Sequence, residues 1–143
     1  MLVLVAPGQG AQAPGFLTPW LDVPGVADRL TWWSAVADLD LVHYGTEADA
    51  DTIRDTAIAQ PLLVASGIAA ALALFPHPAE AFRQVGAVAG HSVGELTAAA
   101  GTGAITAESA MTLVRERGRA MAAAAAVTET SMTGVLGGQP EVV

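Results

Sequence analysis

The chain contains neither cysteine nor lysine. The first absence excludes disulfides, a thiolate nucleophile and cysteine-ligated zinc, and it fits a reducing compartment. The second excludes a phosphate-loop lysine and a Schiff-base amine. All six basic residues are arginines, set against 14 acids for a net charge of −8, so a basic groove for nucleic acid is not expected. Aromatic residues make up only 5 % of the 143 and charged residues 14 %, whereas 52 % are hydrophobic, enough for one domain with a sizeable core. No targeting segment is evident, because Met1 to Ala6 lacks a basic region and is too short for a signal sequence. The expected location is the cytoplasm.

The longest apolar stretch, Thr56 to Phe75, approaches the length of a membrane span. Gln60-Pro61 interrupts it, alanine supplies much of it, and no basic cluster flanks it. Ile58, Leu62, Ala65, Ala69 and Leu72 recur at helical spacing, and Pro76-His77-Pro78 forms a stop, so the reading is a buried helix of a soluble protein. Gln60 is the lone amide in its apolar first half. Once buried it needs hydrogen-bond partners, so it either braces a loop or touches a polar ligand.

What the chain does contain is organised around Val85 to Glu95, a short apolar run that ends in Gly90-His91-Ser92-Val93-Gly94 and opens into an alanine-rich helical pattern. A strand turning directly into a helix holds the turn residue in a strained conformation, with its side chain projecting above the sheet edge. Gly90 and Gly94 fit where strand and helix pass too close for a Cβ. Ser92 is therefore the candidate nucleophile, with the Val93 N–H and the helix dipole placed to stabilise an oxyanion.

Leu2 to Ala6 has the continuous apolar character of a central parallel strand covered on both faces. It runs into Pro7-Gly8-Gln9-Gly10-Ala11-Gln12, a tight loop at the carboxyl end of a strand, where open α/β sheets bind ligands and from which backbone amides would face Ser92. Asp22 to Asp40, with Trp32 and Trp33 and with Trp20 just before it, reads as an imperfect helix whose tryptophans pack. His43 to Asp55 reads as a polar loop or short helical turn, with His43 on the surface.

After the serine, Glu95 to Ala100 continues as helix, Gly101-Thr102-Gly103 caps it, and Thr106 is the N-cap of a helix from Ala107 to about Ala124. Ala110, Leu113, Val114, Arg117 and Met121 fall on one stripe, which aims Arg117 at the core and leaves Arg115 and Arg119 on the outward face. An arginine in an apolar stripe requires an anion. A protein carboxylate and the carboxylate of a substrate lying beside Ser92 both satisfy that requirement, and a planar carboxylate matches the guanidinium fork.

Serine chemistry needs a base, usually an oriented histidine. His91 directly precedes Ser92 and points away from it, while His43 and His77 lie in loops, so the catalytic histidine is expected outside these residues. Ser131 to Gly138 looks like a strand entering a glycine turn shortly before Val143, and the chain reads as a fragment.

Taken in order, Gly8-Gln9-Gly10-Ala11-Gln12, Gln60-Pro61-Leu62-Leu63, Gly90-His91-Ser92-Val93-Gly94-Glu95 and Arg117-Gly118-Arg119-Ala120-Met121 resemble the signature of malonyl-CoA:acyl carrier protein transacylases and the related acyltransferase domains of polyketide synthases. The resemblance covers about the first half of that family's domain. It implies an α/β fold: a hydrolase-like parallel-sheet core with a nucleophile elbow over residues 1–128, and over 129–143 the first strand of a small, inserted ferredoxin-like subdomain. It further implies Ser92 as the nucleophile that takes malonyl from coenzyme A and passes it to the phosphopantetheine thiol of acyl carrier protein. Gln9 and Val93 would supply oxyanion-hole amides, Arg117 the clamp on malonyl's free carboxylate, Gln60 a brace, and His91 support packed under the elbow. No bound cofactor and no metal are implied; malonyl-CoA and acyl carrier protein are substrates and partners, with no nucleic acid or membrane partner.

Ala11 departs from the serine usual in the first loop, a change that leaves the backbone amides in place. Val93 resembles malonyl-using members. The absent half would carry the histidine, most of the small subdomain and the segment tied to acyl choice. Four functions stay open: a discrete enzyme of fatty-acid synthesis, favoured by Met1 directly before the first strand; a polyketide synthase acyltransferase piece; a non-catalytic fragment or carrier-protein-binding scaffold; and an esterase, against which Arg117 argues because a neutral ester offers it no partner. For docking an acidic carrier protein, the expected positive patch comes from outward arginines such as Arg115 and Arg119 or from the absent half.

Overall fold

The computed structural model describes residues 1–75, 81, 83–128 and 137. Strand β1 (Leu2–Ala6) pairs in parallel with β2 (Val85–Gly90), from Leu2 opposite Val85 to Ala6 opposite Gly90, with one irregularity between Leu2 and Val3. The long crossover between them carries α1 (Val26–Ala37), α2 (Leu41–Thr46) and α3 (Thr56–Leu74). After β2 come α4 (Gly94–Gly101) and α5 (Ala107–Ala125). The expected second unit, 129–143, lies outside the described residues apart from Gly137.

Helix α3 is the hub, touching every other helix. Its amino terminus is capped by Asp55, whose carboxylate accepts the Ala57 N–H at 2.8 Å. The helix is long and apolar enough to cross a membrane by length and composition, yet the run from Ala59 to Ala65, with Ile68 and Ala69, is buried within the protein. Around it close Leu17, Val26, Leu30, Trp33, Leu41, Ile53, Met111 and Val114. Each fully buried side chain of this size contributes about 1.5–3 kcal/mol. Trp33 packs inside as expected, whereas Trp32 is 58 % exposed and donates from Nε1 to Glu108 Oε1 at 3.3 Å. The polar stretch His43 to Asp55 is more ordered than its composition suggests: Asp40 caps α2 by accepting the His43 N–H, and a 3-10 turn spans Thr52–Arg54. The first turn of that segment also holds the Asp49 carboxylate below its ordinary pKa, mainly through the backbone N–H of Thr52 and then its hydroxyl.

Both predicted caps around α4 and α5 form. Gly103 takes φ +75° just past α4, and the Thr106 hydroxyl accepts the Ser109 N–H at 3.0 Å. The buried line of α5, however, is Ala110, Met111, Val114 and Gly118, with Leu113 50 % and Met121 41 % exposed. The expected stripe is thus rotated by about a sixth of a turn, because Gly118 sets the crossing: a Cβ there would lie 3.1 Å from Thr56 O and 3.2 Å from Ala57 Cα. Arg117 consequently sits half-buried at the margin of the core.

Two further expectations are corrected. Among the described residues strand β1 is not covered on both faces: Val5 is 71 % exposed and only Ala6 is buried, because α4 is the helix packed against the strand pair. Arg115 and Arg119 do not project freely from the outward face. Arg115 donates to Val36 O at 3.4 Å and to Glu116, and Arg119 pairs with Asp38 at 3.0 Å, so both serve the carboxyl end of α1, where helix carbonyls attract cations.

Replacing Gly118 by Val should lower stability by about 1–3 kcal/mol, because the neighbouring atoms are backbone and cannot step aside. The check is a drop in the chemical-denaturation midpoint with an unchanged slope. An unchanged midpoint would show that α3 and α5 do not cross as closely as described.

Candidate active site

The elbow follows directly from the backbone. Ser92 has φ +54°, a left-handed conformation that costs a residue with a Cβ about 1–2 kcal/mol. Tertiary contacts enforce it. A Cβ on Gly90 would stand 2.3 Å from Glu95 N, and one on Gly94 would stand 2.3 Å from Ala6 O and 2.7 Å from Pro7 O. Both collisions are with backbone, so strand β2, helix α4 and the end of β1 are locked together with the serine at their junction. The His91 N–H adds a bond to Ala6 O at 3.0 Å.

The loop after β1 is pinned on its other side. Gln9 Nε2 donates to Arg54 O and Thr56 Oγ1, both at 3.2 Å. Gln12 Nε2 donates to Ile53 O at 3.0 Å, while its Oε1 accepts the Gly10 N–H at 2.9 Å. Two glutamines thus fasten a glycine loop to the turn that precedes α3. Neither the Gln9 nor the Val93 backbone N–H donates to a protein acceptor among the described residues. Val93 itself is buried, one residue after the serine.

Over Ser92 lies Arg117. Its Nη2 donates to Ser92 Oγ at 3.0 Å and its Nη1 to Gln60 Oε1 at 2.5 Å. Gln60 is 1 % exposed and sends its Nε2–H to the Met121 sulfur at 3.2 Å. Helices α3 and α5 therefore supply the amide and the cation, and the elbow supplies the hydroxyl. Among the described residues no carboxylate pairs with Arg117, so its charge is held by neutral acceptors alone. Because Ser92 Oγ accepts from Arg117, the hydroxyl proton is left free to be donated.

Ser92, Arg117 and Gln60 thus converge as the sequence suggests, and the loop bearing Gln9 packs against the same elbow. His91 departs from expectation: its ring lies against Gly8 and the residue is exposed, because the glycine leaves a surface groove for the imidazole beside the elbow and not beneath it. His43 sits on the surface opposite Glu47 at 3.3 Å, and His77 is outside the described residues. No group of side chains that could hold a metal ion occurs among the described residues. Sequence reasoning assigned no role to Gln12 or Met121. Gln12 had a visible signal in the paired glutamines of the first loop, whereas Met121 looked like one more apolar residue.

The strained serine makes a stability prediction. Ser92→Gly should be about 1 kcal/mol more stable than Ser92→Ala, since both lose the hydroxyl but only glycine relieves the left-handed conformation. Thermal or chemical denaturation of the pair would decide it, and equal stabilities would mean that the elbow carries no strain.

No family model matches the chain. The malonyl CoA-acyl carrier protein transacylase of Mycobacterium tuberculosis is 49 % identical over 138 residues, which are 96 % of this chain and 45 % of that protein. The crystal structure of the transacylase from the same organism superposes with a TM-score of 0.81 at 47 % identity, over 87 % of this chain and 41 % of its own. A complex of a type II polyketide synthase acyl-carrier protein with its malonyl-transacylase superposes with a TM-score of 0.71 at 28 % identity, over 85 % of this chain and 39 % of its own. The chain spans less than half the length of each of these relatives. With an elbow serine, a pinned glutamine loop and an arginine on the serine all set in an α/β frame that superposes on theirs, it is similar to the malonyl CoA-acyl carrier protein transacylases over the part of their length that it spans.

Proposed function

We propose that the protein these residues belong to transfers a malonyl group from malonyl-CoA to the phosphopantetheine thiol of acyl carrier protein, through an ester on Ser92. The carrying observation is Arg117: a half-buried cation with no carboxylate partner among the described residues, braced by a buried amide and bonded to the candidate nucleophile. A neutral acyl group gives such a cation nothing to pair with. A malonyl group brings a carboxylate two bonds from the carbonyl under attack, and a guanidinium fork binds a carboxylate in bidentate fashion.

The chemistry runs in two halves. Ser92 Oγ attacks the thioester carbonyl, an O–C bond forms as the C–S bond breaks, and coenzyme A leaves as thiol with the proton that a base removed from the hydroxyl. The carrier thiol then attacks the ester and the same atoms move in reverse. The N–H groups of Gln9 and Val93 serve both tetrahedral oxyanions, where each such donor is worth about 10²–10³ in rate. The base in this reading is a histidine outside these 143 residues. In this reading the protein needs no bound cofactor and works in the cytoplasm, and Ser92 in its Gly-His-Ser-x-Gly setting is the residue acylated. The names of the relatives support the substrates, and the complex of a transacylase with a type II polyketide synthase acyl-carrier protein supports carrier-protein docking.

Brief incubation with malonyl-CoA followed by intact-protein and peptide mass spectrometry tests the reading. A malonyl adduct on Ser92, lost in Ser92→Ala, is the expected result. Arg117→Ala should slow malonylation by about 10- to 100-fold and acetylation by acetyl-CoA far less, the worth of a charged hydrogen bond to the carboxylate. An adduct formed equally fast from both thioesters in Arg117→Ala and the parent would overturn the clamp. No adduct on a folded protein supplied with imidazole would favour the non-catalytic scaffold.

A further inference from the structure

The Gln60 amide lies between a group that can only donate and a group that can only accept. Arg117 carries N–H donors and no acceptor; the Met121 thioether carries lone pairs and no proton. Gln60 Oε1 must therefore face Arg117 and Nε2 must face Met121, as they do at 2.5 and 3.2 Å. The amide is 1 % exposed, so water cannot stand in for either partner, and no other acceptor for Nε2 occurs among the described residues.

We infer that Met121 is a positioning residue: its sulfur fixes the orientation of the buried Gln60 amide, which in turn aims the Arg117 guanidinium at an anionic acyl group beside Ser92. This inference rests on the reading of Arg117 as the carboxylate clamp. The placement of Met121 four residues after Arg117 puts both on one side of α5, above the point where Gln60 rises from α3. Side-chain bulk alone does not account for the arrangement. A leucine would fill similar space while leaving a buried N–H without an acceptor, and an orphaned N–H pulls the amide out of register with the arginine.

The experiment compares Met121→Leu, which removes the acceptor, with Met121→Gln, which restores one, both in a Ser92→Ala background so that no acylation intervenes. Calorimetric titration with malonyl-CoA and with acetyl-CoA gives the preference for the carboxylate-bearing ligand. Met121→Leu should reduce that preference about three- to tenfold, the usual worth of one hydrogen bond, and Met121→Gln should recover most of it. In parallel, the Gln60 side-chain amide resonances in a nitrogen–proton correlation spectrum should move in Met121→Leu. An unchanged preference together with unmoved Gln60 resonances would overturn the inference, as would equal weakening of both ligands, which marks Met121 as a wall of the site. Arg117→Ala in the same background separates the two levels. If that variant leaves the preference intact, the carboxylate reading fails, and the Gln60 resonances still decide whether Met121 orients the amide.

Discussion

Everything in this molecule depends on one backbone contact, the approach of Gly94 to the carbonyls of Ala6 and Pro7. A glycine there allows the first turn of α4 to rest on the end of β1, and a second, Gly90, allows the preceding strand to pass the same helix. The chain must then reverse within a few residues, and the residue at the reversal, Ser92, is driven to positive φ. Strain at the serine and closeness at the glycines are one constraint seen from two sides. Its product is a hydroxyl beside a helix amino terminus, with the loop after β1 close by.

The second constraint is the crossing of α3 and α5. Gly118 lets α5 rest on the first turn of α3, and this contact sets the rotation of α5 about its axis. The rotation places Arg117 at the rim of the core. It reaches both a buried amide, which holds it, and the elbow serine, which it covers. A deeper arginine would need a fixed counter-ion, and a more exposed one would lose its aim to solvent. The margin of the core is where a cation stays both ordered and available.

The same packing decides what the other arginines do. Arg115 and Arg119 flank Arg117 on α5 and meet the carboxyl end of α1, where Asp38 turns the chain at positive φ. They tie two helices together and contribute less free positive surface than their number suggests.

The sequence by itself determined the local features, because local features depend on neighbours in the chain. The serine elbow and the caps at Thr106 and Gly103 were legible from residue type and spacing, as was the extent of α3. A glycine, an N-cap threonine and a helical period carry their meaning within a few residues. The order of four motifs likewise pointed to the family before any coordinates did. Tertiary structure alone decided the angle at which α5 meets α3, and hence that Leu113 faces water, that Gly118 is buried, and that Met121 touches Gln60 across 61 residues of chain. It also moved His91 to the surface and turned Arg119 toward Asp38. A hydrophobic stripe predicts a helix face only to within the width of the stripe, and a rotation of about a sixth of a turn exchanges wall for rim. That rotation is set by where two backbones can touch, a property of the pair of helices that neither sequence segment contains alone.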